Sequence, residues 1–171
     1  GNSGPKEPLF FLKPDRSVLA QGHPVYIPSW TQEVHHEVEL LVRICRNGKA
    51  IQPEFAPRYY DAISLGIDFT ARDVQAQAKK DGHPWEKAKA FDGSAVISKK
   101  WHVLDKLDQD WESLSFYLEK NGKRVQTGSS RDMIHHVDAL IAHVSKYMTL
   151  KMGDVLFTGT PAGVGRVFDG D

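Results

Sequence analysis

The run VHHEVELLVRI at residues 34–44 restricts this chain more than any other stretch. With the two-residue period of a strand, Val34, His36, Val38, Leu40, Val42 and Ile44 fall on one face. His35, Glu37, Glu39, Leu41 and Arg43 fall on the other. A ribbon with one largely aliphatic face has to lie in a sheet against a core. Its second face carries Glu37 and Glu39 side by side, with Cβ atoms about 6–7 Å apart. Two like charges at that spacing repel unless water or a cation screens them, and a hard divalent ion such as Mg²⁺ takes oxygen ligands of this kind. An exposed polar face is the plainer account of any E-x-E, but Leu41 continues the same face and argues against full solvation. His35 and His36 lack the H-E-x-x-H helical spacing, so zinc is disfavoured. One of the two histidines is expected in a half-buried position beside the carboxylates.

Around this strand the pattern is that of an α+β chain on a mixed sheet. Short strands are expected at 9–12, 25–28, 62–69 and 154–158, a hairpin at 114–119 and 124–127 about Asn121-Gly122, and a turn at Asn47-Gly48. Helices are expected over 71–80 and about 131–148. The second has an apolar stripe of Ile134, Val137, Leu140, Ile141, Val144 and Met148, with Ser130 as its candidate cap. Segment 83–91 reads as a loop. At 171 residues the chain suits one domain. Lysine plus arginine (22) balances aspartate plus glutamate (22), so no global field favours nucleic acid or an anionic membrane. No apolar run reaches the roughly 18 residues that span a bilayer. The single Cys45 allows no intrachain disulfide and favours a reducing compartment. The ends, GNSGPKEP and GRVFDGD, read as interior segments of a longer protein.

Two more stretches carry candidate chemistry. In GIDFTARDVQAQ, Thr70 and Asp73 suit a helix start as a capping box, but a first-turn arginine opposes the helix dipole. Arg72 and Gln75 share a helical face, and Asp68 precedes them at the strand's end. A carboxylate, a guanidinium and an amide so placed would suit an anionic substrate held on a metal. In TGTPAGVG, at 158–165, glycines allow close backbone approach and threonine hydroxyls can bond an oxyanion. It is neither a P-loop nor a dinucleotide fingerprint.

The stretches HHEVEL, GIDFTARDVQ, PWEKAKAFDGS and GDVLFTGTPAGVG occur together and in this order in the fumarylacetoacetate hydrolase family. The chain resembles that family from EPLFFLKP to GVGRV. It is most similar to the small single-domain acylpyruvate hydrolases, some of which also decarboxylate oxaloacetate. The resemblance implies a mixed β-roll or β-sandwich of the fumarylacetoacetase C-terminal-domain type with peripheral helices, and a homodimer. Residues 1–171 would be one catalytic domain without the family's N-terminal lid and C-terminal closing strands. Glu37, Glu39 and Asp68 would hold one Mg²⁺, with Mn²⁺ or Ca²⁺ as substitutes. Arg72, Gln75, Lys89 and Thr160 would contact the substrate. The activity implied is hydrolysis of a C–C bond in acylpyruvate-like β-diketo acids, with oxaloacetate decarboxylation as a related reaction. Dienedioate isomerisation or decarboxylation, or non-catalytic binding of a metal and a 2-oxo acid, are the alternatives. The family's base-forming histidine–glutamate pair lies upstream of the matched stretches, so the catalytic base is unassigned, and Glu33 and His35 do not match it. A cytoplasmic or organellar setting is expected, with no nucleic-acid or membrane partner.

Overall fold

The computed structural model describes residues 7–20, 22–108 and 110–171, and in it the expected long strand is two. β1 (Val34–His36) and β2 (Val38–Ile44) part at Glu37. β3 (Tyr60–Asp68) and β4 (Thr70–Ala71) part in the same way at Phe69. β2 and β3 form a sheet with β5 (Ala95–Ile97), β6 (His102–Val103) and β9 (Val155–Phe157), in the order β5-β3-β2-β9 with β6 also on β3. β1 and β4 belong to a second sheet, completed by β10 (Gly165–Arg166) in the order β10-β1-β4. Three chain segments therefore pass from one sheet to the other, the third through the loop between β9 and β10. The Asp68 N–H donates to the Glu37 carbonyl at 2.9 Å, so the first two bend together. Pairings among these strands are antiparallel, and Val18 adds a parallel bridge to Ala95.

β2 is buried on both faces. Leu40, Val42 and Ile44 meet Ile63 of β3 and the stripe Val137, Ile141 and Val144 of α3 (Val137–Tyr147). On the other face Leu41 packs so tightly over β3 that a Cβ added at Gly66 would stand 2.7 Å from its Cδ1 and 2.5 Å from the Val96 carbonyl oxygen. Burial on both faces explains why the alternation in 34–44 does not mark a half-solvated strand. A hairpin, β7 (Ser115–Lys120) and β8 (Lys123–Ser129), packs outside both sheets. Its turn residues Asn121 and Gly122 have φ of 51° and 74°, the left-handed pair that a two-residue hairpin turn requires. The class is α+β: a curled antiparallel sheet with a few helices.

Several local expectations fail for physical reasons. Segments 9–12 and 25–28 are not strands. In the first, Phe10 stacks on His143 and Tyr147, and Phe11 on Trp85, so the apolar run supplies aromatic plugs instead of a ladder. The second lies between Pro24 and Pro28, which cannot donate to a neighbouring strand. The helix expected from 131 starts at Val137, because Ser130 opens a 3-10 turn and its hydroxyl donates to the Trp111 and Leu114 carbonyls. Ile134 is consequently exposed and lies outside the apolar stripe. Segment 83–91 holds a short helix, α2 (Glu86–Lys89). Among the described residues no helix is long and apolar enough to cross a membrane.

Candidate active site

The crossing between sheets gathers Glu37, Glu39 and Asp68, all buried, with carboxylate oxygens within 4.8 Å of one another. Glu37 lies at the break between β1 and β2, and Asp68 ends β3 just before the break at Phe69. Glu37 and Asp68 share the Lys89 ammonium, and Glu39 is held separately. Glu39 Oε2 accepts from the Gly159 N–H at 2.7 Å. Glu37 Oε1 accepts from Arg72 Nη2 at 2.5 Å and Oε2 from Lys89 Nζ at 2.7 Å. Asp68 Oδ2 accepts from Lys89 Nζ at 2.6 Å. Its Oδ1 has Lys13 Nζ at 2.8 Å, but out of hydrogen-bonding alignment, so this buried oxygen keeps unused acceptor capacity. Burial, and then the charge of Asp68, push the Glu39 carboxyl up to about 8. Burial also raises Asp68, opposed by the ammonium groups of Lys13 and Lys89.

The cations come from three short elements. Lys89 is the last residue of α2 and is 3% exposed. Its ammonium donates to Glu37, Asp68 and, at 2.5 Å, Thr70 Oγ1, which uses all three protons. Lys13 enters from the extended segment before the first 3-10 turn and donates to the Lys89 carbonyl and, at 2.8 Å, to Ser94 Oγ. Burial lowers its pKa. Arg72 opens α1 (Arg72–Asp81), and its Nη1 donates to Gln75 Oε1 at 2.8 Å. The helix thus presents the guanidinium to Glu37, with the Gln75 amide oxygen holding its other terminal nitrogen.

The capping-box reading of Thr70 and Asp73 is overturned. The N-cap of α1 is Ala71, with no side-chain cap. Thr70 is fully buried, and its hydroxyl serves the Lys89 ammonium and the Asp68 carbonyl. Asp73 instead accepts from the Thr31 hydroxyl at 2.5 Å, the Gln32 N–H at 2.8 Å and the Val74 N–H at 2.9 Å. A buried ammonium needs oxygen partners more than a partly exposed helix end does, which redirects the threonine.

The loop after β9 runs along the edge of β2. Thr158 Oγ1 donates to the Leu40 carbonyl and Thr160 Oγ1 to the Val38 carbonyl, each at 2.9 Å. The Gly159 N–H between them takes Glu39. Side-chain hydroxyls thus continue the ladder where the backbone leaves it. Thr160 Oγ1 also accepts from Gln126 Nε2 at 2.9 Å.

Three buried carboxylates, an all-oxygen donor set and the misaligned Asp68 Oδ1 fit a hard divalent cation. Residues 2–171 match the family described as fumarylacetoacetate (FAA) hydrolase C-terminal. The chain belongs to this family. It is 42% identical over 171 residues to the oxaloacetate tautomerase YcgM of Escherichia coli, covering 100% of this chain and 78% of that protein. It is 39% identical to the mitochondrial oxaloacetate tautomerase FAHD1 of Bos taurus, covering 99% of this chain and 76% of the relative. Among solved structures, a fumarylpyruvate hydrolase from Pseudomonas aeruginosa in complex with Mn²⁺ and pyruvate superposes with a TM-score of 0.86. That match is 34% identical and covers 96% of this chain and 72% of the other.

Of the residues singled out from the sequence of this family member, Glu37, Glu39, Asp68, Arg72, Gln75 and Lys89 form one connected cluster. Thr160 stands at its edge, one residue from the Gly159 amide that holds Glu39. Lys13 and Thr70 were missed as members of the cluster, and Gln126 as the residue bonded to Thr160 at its edge. Lys13 follows LFFL, and a lysine closing an apolar run is its one local signal. Gln126 has none, because a strand glutamine looks the same whether exposed or buried.

Proposed function

We propose that this protein binds one divalent cation, Mg²⁺ or Mn²⁺, through Glu37, Glu39 and Asp68 and interconverts the keto and enol forms of a small 2-oxo acid. Oxaloacetate is the substrate to test first. The observation that carries the reading is the buried carboxylate triad bordered by Arg72 and Lys89. The names of the tautomerase relatives support it. A bound cation would supply Lewis acidity that makes the carbon beside a carbonyl easier to deprotonate. The chain supplies orientation. Arg72, steadied by Gln75, offers a planar fork suited to a carboxylate, and Lys89, whose three protons now serve Glu37, Asp68 and Thr70, would turn protons to a substrate once a cation takes the carboxylates. The Thr160 loop closes one side against β2. A homodimer working in a bacterial cytoplasm or an organelle interior belongs to the same proposal.

Hydrolytic C–C cleavage of an acylpyruvate is the second reading, favoured by the likeness to the fumarylpyruvate hydrolase bound to Mn²⁺ and pyruvate. One experiment separates the two. The full-length protein with saturating Mg²⁺ or Mn²⁺ is given enol-rich oxaloacetate while enol absorbance is followed, and separately acetylpyruvate while pyruvate is assayed. Faster ketonisation without pyruvate release supports the tautomerase, whereas pyruvate release supports the hydrolase. Neither activity at saturating metal would refute a catalytic role and leave only metal and 2-oxo-acid binding.

A further inference from the structure

Gln126 is a polar side chain that the proposed chemistry does not use, yet it is 2% exposed and its hydrogen-bonding capacity is filled. Oε1 accepts from the Val38 N–H at 3.0 Å and faces His36 Nδ1 at 2.8 Å. Nε2 donates to Thr160 Oγ1 at 2.9 Å and to the Pro161 carbonyl at 3.2 Å. The amide can sit only one way round. Reversed, it would set N–H against the Val38 N–H and oxygen against the Pro161 carbonyl. With Oε1 fixed as an acceptor, His36 Nδ1 must carry a proton. The Nε2 edge of that ring lies against β10, where a Cβ added at Gly165 would stand 3.2 Å away.

The partners of this amide lie on separate segments. Val38 sits between Glu37 and Glu39, Thr160 and Pro161 follow the amide that holds Glu39, and Gln126 itself projects from β8, which is in neither sheet. One side chain therefore ties the strand bearing two carboxylates to the loop beside them from the β8 side, adding to the direct bonds that Thr158, Gly159 and Thr160 make to β2. We propose that Gln126 is a positioning residue for this site. Its Nε2 holds the Thr160 loop at the height an anionic oxo acid requires, and its Oε1 keeps His36 in the Nδ1–H form. The proposal rests on the reading above that a divalent cation and a 2-oxo acid bind here.

The test uses Mn²⁺ and oxalate with the full-length protein, together with Gln126→Leu and Gln126→Glu. The glutamate keeps the acceptor for Val38 and His36 and removes the donor to Thr160 and Pro161; the leucine removes both. Mn²⁺ affinity is expected to stay within about threefold in both variants. Oxalate affinity of the Mn²⁺-loaded protein should fall by about tenfold or more, since the glutamate loses the two bonds to the loop and the leucine loses all four. In ¹⁵N spectra of metal-free protein, His36 should be protonated at Nδ1 in the wild type and in Gln126→Glu, and lose that fixed form in Gln126→Leu. Should the leucine variant not fold, the glutamate variant and the wild-type spectrum decide by the same criteria. Wild-type protein that binds both probes, with variants that bind oxalate equally well, overturns the role of Gln126 alone. A wild-type His36 protonated only at Nε2 overturns it too. Wild-type protein that binds neither Mn²⁺ nor oxalate overturns the reading of the site, and this inference with it.

Discussion

Lys89→Met keeps most of the side-chain length and removes a single ammonium from between Glu37 and Asp68. In the wild type that ammonium makes contacts of 2.7, 2.6 and 2.5 Å to Glu37, Asp68 and Thr70. Removing one partner of a buried ion pair costs about 3–5 kcal/mol, because the remaining charge keeps its desolvation penalty. Arg72 stays on Glu37 and Lys13 stays beside Asp68, so a loss near the lower bound, about 3 kcal/mol, is expected for the metal-free protein. The assay is urea unfolding with and without Mn²⁺, the slope being checked so that midpoints report stability. A ligand at about 100 times its Kd stabilises a protein by about 2.7 kcal/mol. Lys89 competes with an added cation for the same oxygens, so at equal free Mn²⁺ the variant should gain more than the wild type. A loss under about 1 kcal/mol without metal, or an equal Mn²⁺ gain in both proteins, would refute the reasoning.

Other consequences can be measured independently. Asp68→Ala should abolish Mn²⁺-dependent thermal stabilisation by deleting a carboxylate of the triad, and an unchanged metal response would remove Asp68 from the site. Burial works to raise the Asp73 pKa, but hydrogen bonds from the Gln32 N–H, Thr31 hydroxyl and Val74 N–H outweigh it and hold the carboxyl below its usual range. A depressed folded-state value stabilises above the unfolded pKa and stops doing so as pH falls through the folded one. The stability advantage of wild type over Asp73→Asn should therefore be full at neutral pH and shrink below about pH 4, read from urea midpoints across pH; a constant difference would count against it. Gly163 has φ of 97° and its added Cβ would stand 2.5 Å from the Val125 carbonyl oxygen, so Gly163→Ala should cost more than about 1 kcal/mol and loosen the loop. A thermal midpoint equal to wild type would show that the loop adapts freely.

The sequence by itself determined the buried strand, the hairpin about Asn121-Gly122 and the α+β class, since each depends on local periodicity or on a turn residue that few others can replace. It also determined the oxygen-rich chemistry: Glu37 and Glu39 share a strand face, Arg72 and Gln75 share a helix face, and the family pattern joined them to Asp68 and Lys89. Tertiary structure decided where the long strand breaks. Glu37 and Phe69 look like ordinary strand residues, and only the shared crossing between two sheets turns them into the corner that faces Glu37, Glu39 and Asp68 together. Tertiary structure also reassigned Thr70, whose local pattern favours a helix cap but whose buried neighbour is an ammonium. Lys13 joined the cluster, and Gln126 its edge, for the same reason. The Lys13 contact to Asp68 spans 55 residues and the Gln126 bond to His36 spans 90, and no local pattern encodes partners brought together by packing.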